Sequence, residues 1–243
     1  MESAKESPKS LGVYDPVSPR SLAESIGRAL ESLPASRLVD LDAARALAGP
    51  GVYAIYYVGE CRHYEPLSRL NRASMEAGLG PIAPIYVGKA VPEGSRSRRV
   101  ELNDVWEFLS DDKKYLVNRL LEHLESIRDA KNLREEDFLF RGLVLGPIWV
   151  RLGESLLIQY YEPVWNQVVK GFGNHDPGRG RTNQKRSDWD TLHPGRAWAA
   201  KLQPGKDIKK IEEALRKHWS TWRGRVLDRL PPERRQLVEG LSR

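Results

Sequence analysis

Cysteine is almost absent from this 243-residue chain, where Cys61 stands alone. A single thiol excludes an intramolecular disulfide and every zinc site built from several cysteines. The histidines, at 63, 123, 175, 193 and 218, lack metal-ligand spacing, which argues against a zinc hydrolase. No apolar run is long enough to span a membrane, and no internal repeat occurs. The first residues, MESAKESPKSLG, hold no apolar segment of the kind a secretory signal needs. The expected setting is the cytoplasm, with no membrane and no disulfide partner.

What the chain does contain describes a folded protein: 40% hydrophobic and 30% charged residues, enough to bury a sizeable core. Lys and Arg number 39 against 33 Asp and Glu, and the isoelectric point is near 9.4. That balance suits a polyanionic partner.

Two short apolar stretches organise the rest. Gly51-Val52-Tyr53-Ala54-Ile55-Tyr56-Tyr57-Val58 and Ile85-Tyr86-Val87-Gly88-Lys89 are rich in Val, Ile and Tyr and bounded by Gly and Pro, so both read as β-strands. A run apolar on both faces is a central strand covered on two sides. The plain reading is two core strands with ordinary aromatic filling. Phe138 to Leu145 reads as a third strand.

Residues 1–19 are polar, with prolines at 8, 16 and 19, and read as an extended arm. Leu22, Ile26, Leu30 and Leu33 predict a helix over 21–33, and a second helix is expected from about Ser36 to Leu47 before the Ala48-Gly49-Pro50-Gly51 stop. Residues 59–84 read as an insertion between the strands. Residues 113–129 carry a Leu116, Leu120, Leu124, Ile127 stripe, the clearest helix in the chain. Arg119 and His123 stand one turn apart beside that stripe, a position usually taken by boundary residues. A further helix is expected from about Val150 to Tyr161. Glu154 would lie in its first turn, where the helix dipole favours a carboxylate.

Taken in order, Gly51-Val52-Tyr53, Tyr86-Val87-Gly88, Arg119 with His123, Glu154 and Asn166 resemble the GIY-YIG nucleases. The resemblance covers about residues 49–170. It implies an α+β fold, a GIY-YIG core with a small three-stranded antiparallel sheet flanked by helices. Around that core stand an N-terminal helical arm (1–48) and a C-terminal basic extension (171–243) packed with the core as one domain. The link between the two tyrosines is longer than the family usually has. Long inserts, the Gly88-Lys89-Ala90 turn and the basic loop after Asn166 are similar to the type II restriction endonuclease branch. Members of that branch similar to this sequence cut CCGCGG in double-stranded DNA, which is the target this resemblance implies. It likewise implies a bacterial, cytoplasmic enzyme.

The resemblance also assigns roles. Glu154 would hold one Mg²⁺, with Mn²⁺ able to substitute. Mg²⁺ is a hard cation suited to carboxylate, water and phosphate oxygens. Arg119 would offer an always-charged fork to a non-bridging phosphate oxygen. Arg96, Arg98 and Arg99 compete with Arg119 for that role, but only Arg119 lies on a clear helix with a histidine one turn later. Tyr53 would take the attacking water's proton, Tyr86 would orient water or phosphate, and Asn166 would fix the site by hydrogen bonds. A free phenol has a pKa near 10, so a phenolate at pH 7 costs about 4 kcal/mol. Lys89, the metal's field or His123 as proton acceptor could offset that, and the sequence leaves the three open.

Cutting both strands of a palindrome implies a homodimer on DNA. From Gly171 to Lys206 the sequence has no clear periodicity but is rich in Arg, Asn, Gln and Lys, the side chains that pair with base edges. Asn174, His175, Arg179, Arg181, Asn183, Gln184, Lys185, Arg186 and Arg196 are the candidates for base readout, with Arg96, Arg98 and Arg99 for the phosphate backbone. Rival readings are a homing or repair nuclease of the same superfamily and a sequence-specific DNA-binding protein without catalysis.

Overall fold

The strand Gly51–Tyr57 (β2) is buried at every residue, as its apolar character on both faces requires. The computed structural model describes residues 18–40, 42, 45, 47–91, 114–176, 178 and 184–241. Within them β2 is one of the two inner strands of an antiparallel sheet of order β1-β4-β2-β3, with β1 at Ser36–Arg37, β3 at Pro84–Ala90 and β4 at Phe138–Val144. The sheet therefore has four strands where three are expected. The extra strand is two residues long and pairs Ser36 with Phe140 and Arg37 with Leu139.

That pairing corrects the helix expected from Ser36. Leu38 is fully buried, its N–H donates to Phe138 O at 2.9 Å, and the Arg37 guanidinium donates to Glu136 O at 2.7 Å. A helix starting at Ser36 would forfeit the two strand pairs with Phe140 and Leu139.

Side chains alternate along β2, so its two faces build two layers. Tyr53, Ile55 and Tyr57 join a core with Leu67 and Leu70 of α2 (Glu65–Glu76) and with Leu116, Leu120, Leu124 and Ile127 of α3 (Tyr115–Asp129). Val52, Ala54 and Tyr56 meet Ile26 and Leu30 of α1 (Pro19–Glu31) and Val150, Leu157 and Tyr161 of α4 (Pro147–Tyr161). Helix α1 starts at Pro19 with Ser18 as its cap, the Ser18 hydroxyl accepting from Ser21 N, a favourable pairing of cap and first-turn proline.

Residues 59–84 form a working part of the core. Helix α2 brings Asn71, fully buried, against the ends of β2 and β3. Its amide donates to Tyr57 O at 3.1 Å and Ala83 O at 2.8 Å, and its Oδ1 accepts from Ile82 N at 3.1 Å and Ala83 N at 2.9 Å. One side chain thus meets four backbone groups where β2, an inner strand, ends and β3, the edge strand beside it, begins.

After α4 come the short helices α5 (Val164–Gln167), α6 (Asp188–Leu192) and α7 (Ala197–Ala200), then α8 (Ile208–Leu227) and α9 (Pro232–Leu241). Ile211, Leu215, Trp222, Val226, Leu227 and Val238 enter the same cluster as Tyr53 and Leu120. The C-terminal segment therefore closes the core on the α2–α3 side. No described helix is long and apolar enough to cross a membrane.

Candidate active site

Tyr53 sits at the centre of β2 with a glycine on each neighbouring strand, Gly88 on β3 and Gly142 on β4. Both are needed for space. A Cβ on Gly88 would stand 2.3 Å from the Tyr53 hydroxyl and 2.5 Å from its Cζ, and one on Gly142 would stand 2.5 Å from Leu47. The phenol lies across the gap left by Gly88 and points at α3. Gly88→Ala is therefore expected to push the ring aside and slow catalysis about a hundredfold. A single-turnover assay at unchanged melting temperature checks this; a wild-type rate would show that the ring position does not matter.

Helix α3 supplies the partner. His123 is 2% exposed, and its Nε2 lies 2.6 Å from the Tyr53 hydroxyl. Burial first, then the positive charges of Arg119 and Arg196, with His175 adding to them when protonated, hold His123 well below the ordinary histidine value. Burial, reinforced by Tyr86 and opposed by Arg119, holds Tyr53 well above the ordinary phenol value. At neutral pH the pair is thus a neutral phenol hydrogen-bonded to a neutral imidazole. Of the three groups the sequence left open, His123 is the one bonded to the Tyr53 hydroxyl, while Lys89 is paired with Glu154.

Tyr86 stands beside them, its ring 6.3 Å from Tyr53 and 5.1 Å from His123 between centroids. Burial raises its pKa, with Arg119 opposing. Arg119, one turn before His123, is 22% exposed at its side chain. It pairs with Glu122, donates to Gly173 O at 3.3 Å and to His175 Nε2 at 2.5 Å. Asn166, in α5, uses both ends of its amide on one residue of β3: Oδ1 accepts from Val87 N and Nδ2 donates to Val87 O, each at 2.9 Å. β3 is the outer strand on that side, so Asn166 completes its unpaired edge next to Tyr86 and Gly88.

Glu154 reaches the site from α4. That helix begins at Pro147, three residues earlier than expected, and has no acidic residue in its first turn. The dipole account of Glu154 therefore fails, because that effect fades beyond the first turn. Instead the carboxylate, 18% exposed, is paired with Lys89 of β3. Lys89 lies opposite Val52 in the sheet register, while Gly88 lies opposite Tyr53, so adjacent residues of β3 serve the carboxylate and the phenol. The Glu154 charge contributes to the raised pKa of both tyrosines, after burial.

Among the described residues no cluster of three or more His, Cys, Asp and Glu could cage a metal. One accessible carboxylate fits an ion such as Mg²⁺, which keeps much of its shell as water and substrate phosphate.

The segment after Asn166 closes over this group, which the sequence does not announce. Phe172 stacks on His123 at 4.4 Å and 17° and meets Tyr86 edge-on at 5.0 Å. A Cβ on Gly173 would stand 2.7 Å from the Tyr86 hydroxyl. Glycines at 171 and 173 flanking a phenylalanine, in a stretch without periodicity, were the available signal.

The candidate base readers separate into groups. Asn174, His175, Gln184 and Lys185 are exposed. Arg186 is half-buried and donates to Ala199 O and Ala200 O, closing the end of α7. Arg196, expected to read bases, is 2% exposed and spent on internal carbonyls. Arg96, Arg98, Arg99, Arg179, Arg181 and Asn183 lie outside the described residues.

A second buried tyrosine–histidine pair lies deeper in the same core. Tyr64 and His193 Nε2 are 2.6 Å apart, and His193 Nδ1 meets Asn132 Oδ1 at 2.9 Å. Burial brings the His193 pKa down to about 3. Because the folded value lies below the unfolded one, this contribution is whole above pH 6.5 and lost as pH falls toward 3. At pH 5 the loss is about 2 kcal/mol. Urea unfolding at pH 7 and pH 5 should show a proton dependence smaller by about one proton in His193→Gln; identical slopes would contradict it.

The model of one protein family, described as the Eco29kI GIY-YIG domain, matches residues 45–219. The chain belongs to this family, a nuclease domain of the GIY-YIG restriction endonuclease class, acting on DNA. The match runs well past the 49–170 expected, so the loop over the site and most of α8 belong to the family domain. No curated protein matches the chain.

Proposed function

We propose that this protein is a type II restriction endonuclease that hydrolyses both strands of a short GC-rich palindrome in double-stranded DNA. The site proposed is CCGCGG, carried over from the resemblance to that branch. The hydrogen bond between Tyr53 and the buried, neutral His123 carries the reading. Tyr64 and His193 make the same contact in the deeper core; what sets Tyr53–His123 apart is Tyr86 and Arg119 beside it.

A divalent cation at Glu154, Mg²⁺ or in its place Mn²⁺, would neutralise charge on the scissile phosphate and the departing 3′ oxygen. The chain's own groups do the rest. Tyr53 accepts a proton from the attacking water as its own passes to His123, so the phenolate need not be prepared in advance. Arg119 leaves its resting acceptors, Glu122, His175 and Gly173 O, for a non-bridging phosphate oxygen, which a guanidinium fork holds well. Tyr86 orients water or phosphate from the other side. Asn166 keeps the β3 edge, and with it Tyr86, in register. Lys89, its ion-pair partner, keeps Glu154 aimed before DNA binds.

One centre cuts one strand, so cutting both at a palindrome calls for two copies related by a two-fold axis. We place base readout on the exposed loop residues Asn174, His175, Gln184 and Lys185, with Arg179, Arg181 and Asn183 as further candidates. Arg96, Arg98 and Arg99 would bind the DNA backbone. The test is digestion of plasmid DNA with Mg²⁺, followed by sequencing of the ends. Discrete fragments with both strands cut at CCGCGG support the reading. Nicks, or ends at unrelated sequences, would move it to another kind of GIY-YIG nuclease, and binding without cleavage would leave a DNA-binding protein.

A further inference from the structure

The loop 171–175 touches the active site on one side and a single buried side chain on the other. Gly171 opens it at φ 118°, and Asn174 N returns to Gly171 O at 3.1 Å. The turn aims its carbonyls inward, where Arg196 takes three of them: Gly171 O and Asn174 O at 3.3 Å, Phe172 O at 2.5 Å. The guanidinium lies 4.2 Å above the Trp189 ring and 3.5 Å from Asp190, whose other oxygen accepts from Ser187. This is a costly place for a charge, and its three hydrogen bonds all go to the loop. On the outer side, Phe172 covers His123, Gly173 abuts Tyr86 and holds Arg119 through its carbonyl, and His175 meets Arg119.

We propose that Arg196 is a positioning residue that fixes the 171–175 loop as a lid on the Tyr53–His123 pair and Arg119, excluding water from the proton acceptor. The catalytic part rests on the nuclease reading above; the lid itself does not. One fork serves three carbonyls because the guanidinium is planar and presents several donors at fixed angles. Lysine keeps the charge but loses that geometry. His123 faces Tyr53 from β2, Tyr86 from β3, Arg119 on its own helix, and Arg196 and His175 from the loop side. When the lid lifts, water reaches the imidazole.

The experiment compares wild type, Arg196→Lys and Gly173→Ala. The added Cβ of Gly173→Ala meets the Tyr86 hydroxyl and displaces the lid without touching Arg196. Amide hydrogen exchange over 171–175 and NMR titration of His123 are read without any DNA, so they test the lid even if the protein cuts nothing. Faster exchange in both variants is expected, with the His123 titration moving up toward 6.5. Arg196→Lys keeps the charge, so that movement reports solvent and not a lost cation. Cleavage should fall about tenfold or more in rate constant with DNA affinity unchanged. Unaltered exchange and titration in folded Arg196→Lys would overturn the lid. Lost DNA affinity with wild-type exchange would make Arg196 a base reader instead. Should Arg196→Lys fail to fold, Gly173→Ala decides: wild-type exchange and rate there would equally overturn it.

Discussion

Tyr53→Phe is expected to slow DNA cleavage by about three to four orders of magnitude while leaving DNA binding intact. The ring still fills the space over Gly88, so packing is kept. What is lost is the hydroxyl bonded to His123 at 2.6 Å, which in the proposed mechanism takes the attacking water's proton. His123 Nε2 is left buried without its donor, so stability should also fall, by about 1–3 kcal/mol. Single-turnover cleavage at saturating enzyme separates the chemical step from binding. If Tyr53→Phe cleaves at the wild-type rate, the phenol is core filling and the proton must leave by another route. His123→Asn should reproduce most of the loss, because the two residues act on one proton.

Glu154→Gln is expected to remove cleavage to below about one part in ten thousand, the scale of an interaction worth several kcal/mol to the transition state. The substitution keeps the shape of the side chain and takes away the charge. Lys89, 34% exposed at its side chain, can turn to solvent, so the fold should hold. Binding to DNA without divalent cation should be equal or tighter, since a negative charge near the phosphates has gone. Titrating Mg²⁺ and Mn²⁺ against wild type and variant completes the test. A variant that cuts normally at ordinary Mg²⁺ would remove Glu154 from the site and return it to a structural partner of Lys89.

The parts of this architecture written in the sequence are those set by local pattern. β2 could be read because all seven of its residues are buried, which leaves an uninterrupted apolar run. α3 could be read from its leucine stripe, and with it the one-turn spacing of Arg119 and His123. Glu154 could be placed on a helix, but the apolar pattern starts α4 near Val150, three residues late. Pro147 stands at the first helical turn, where proline is favoured, and so opened the helix instead of preceding it. β1 was out of reach, since two residues at a sheet edge are fixed by β4, a hundred residues away, and carry no period of their own. The loop over the site was equally hidden. Phe172, Gly173 and Arg196 are joined by carbonyl contacts and ring stacking between distant segments, and side-chain type alone pointed Arg196 toward DNA when the fold turns it inward. The aromatic residues around it, Trp189 and Trp198, were the only local hint that its charge is buried.

In the proposed reading, side chains from β2, β3, α3 and α4 form one phosphodiesterase centre, with Arg119 as its phosphate ligand. Arg119→Ala, compared with wild type in single-turnover cleavage of a duplex carrying the proposed site, tests it most directly. A rate lower by about two to three orders of magnitude is predicted, with the Tyr53–His123 hydrogen bond preserved and DNA still bound. Cleavage at the full wild-type rate would contradict the account and move the phosphate contact to Arg96, Arg98 or Arg99.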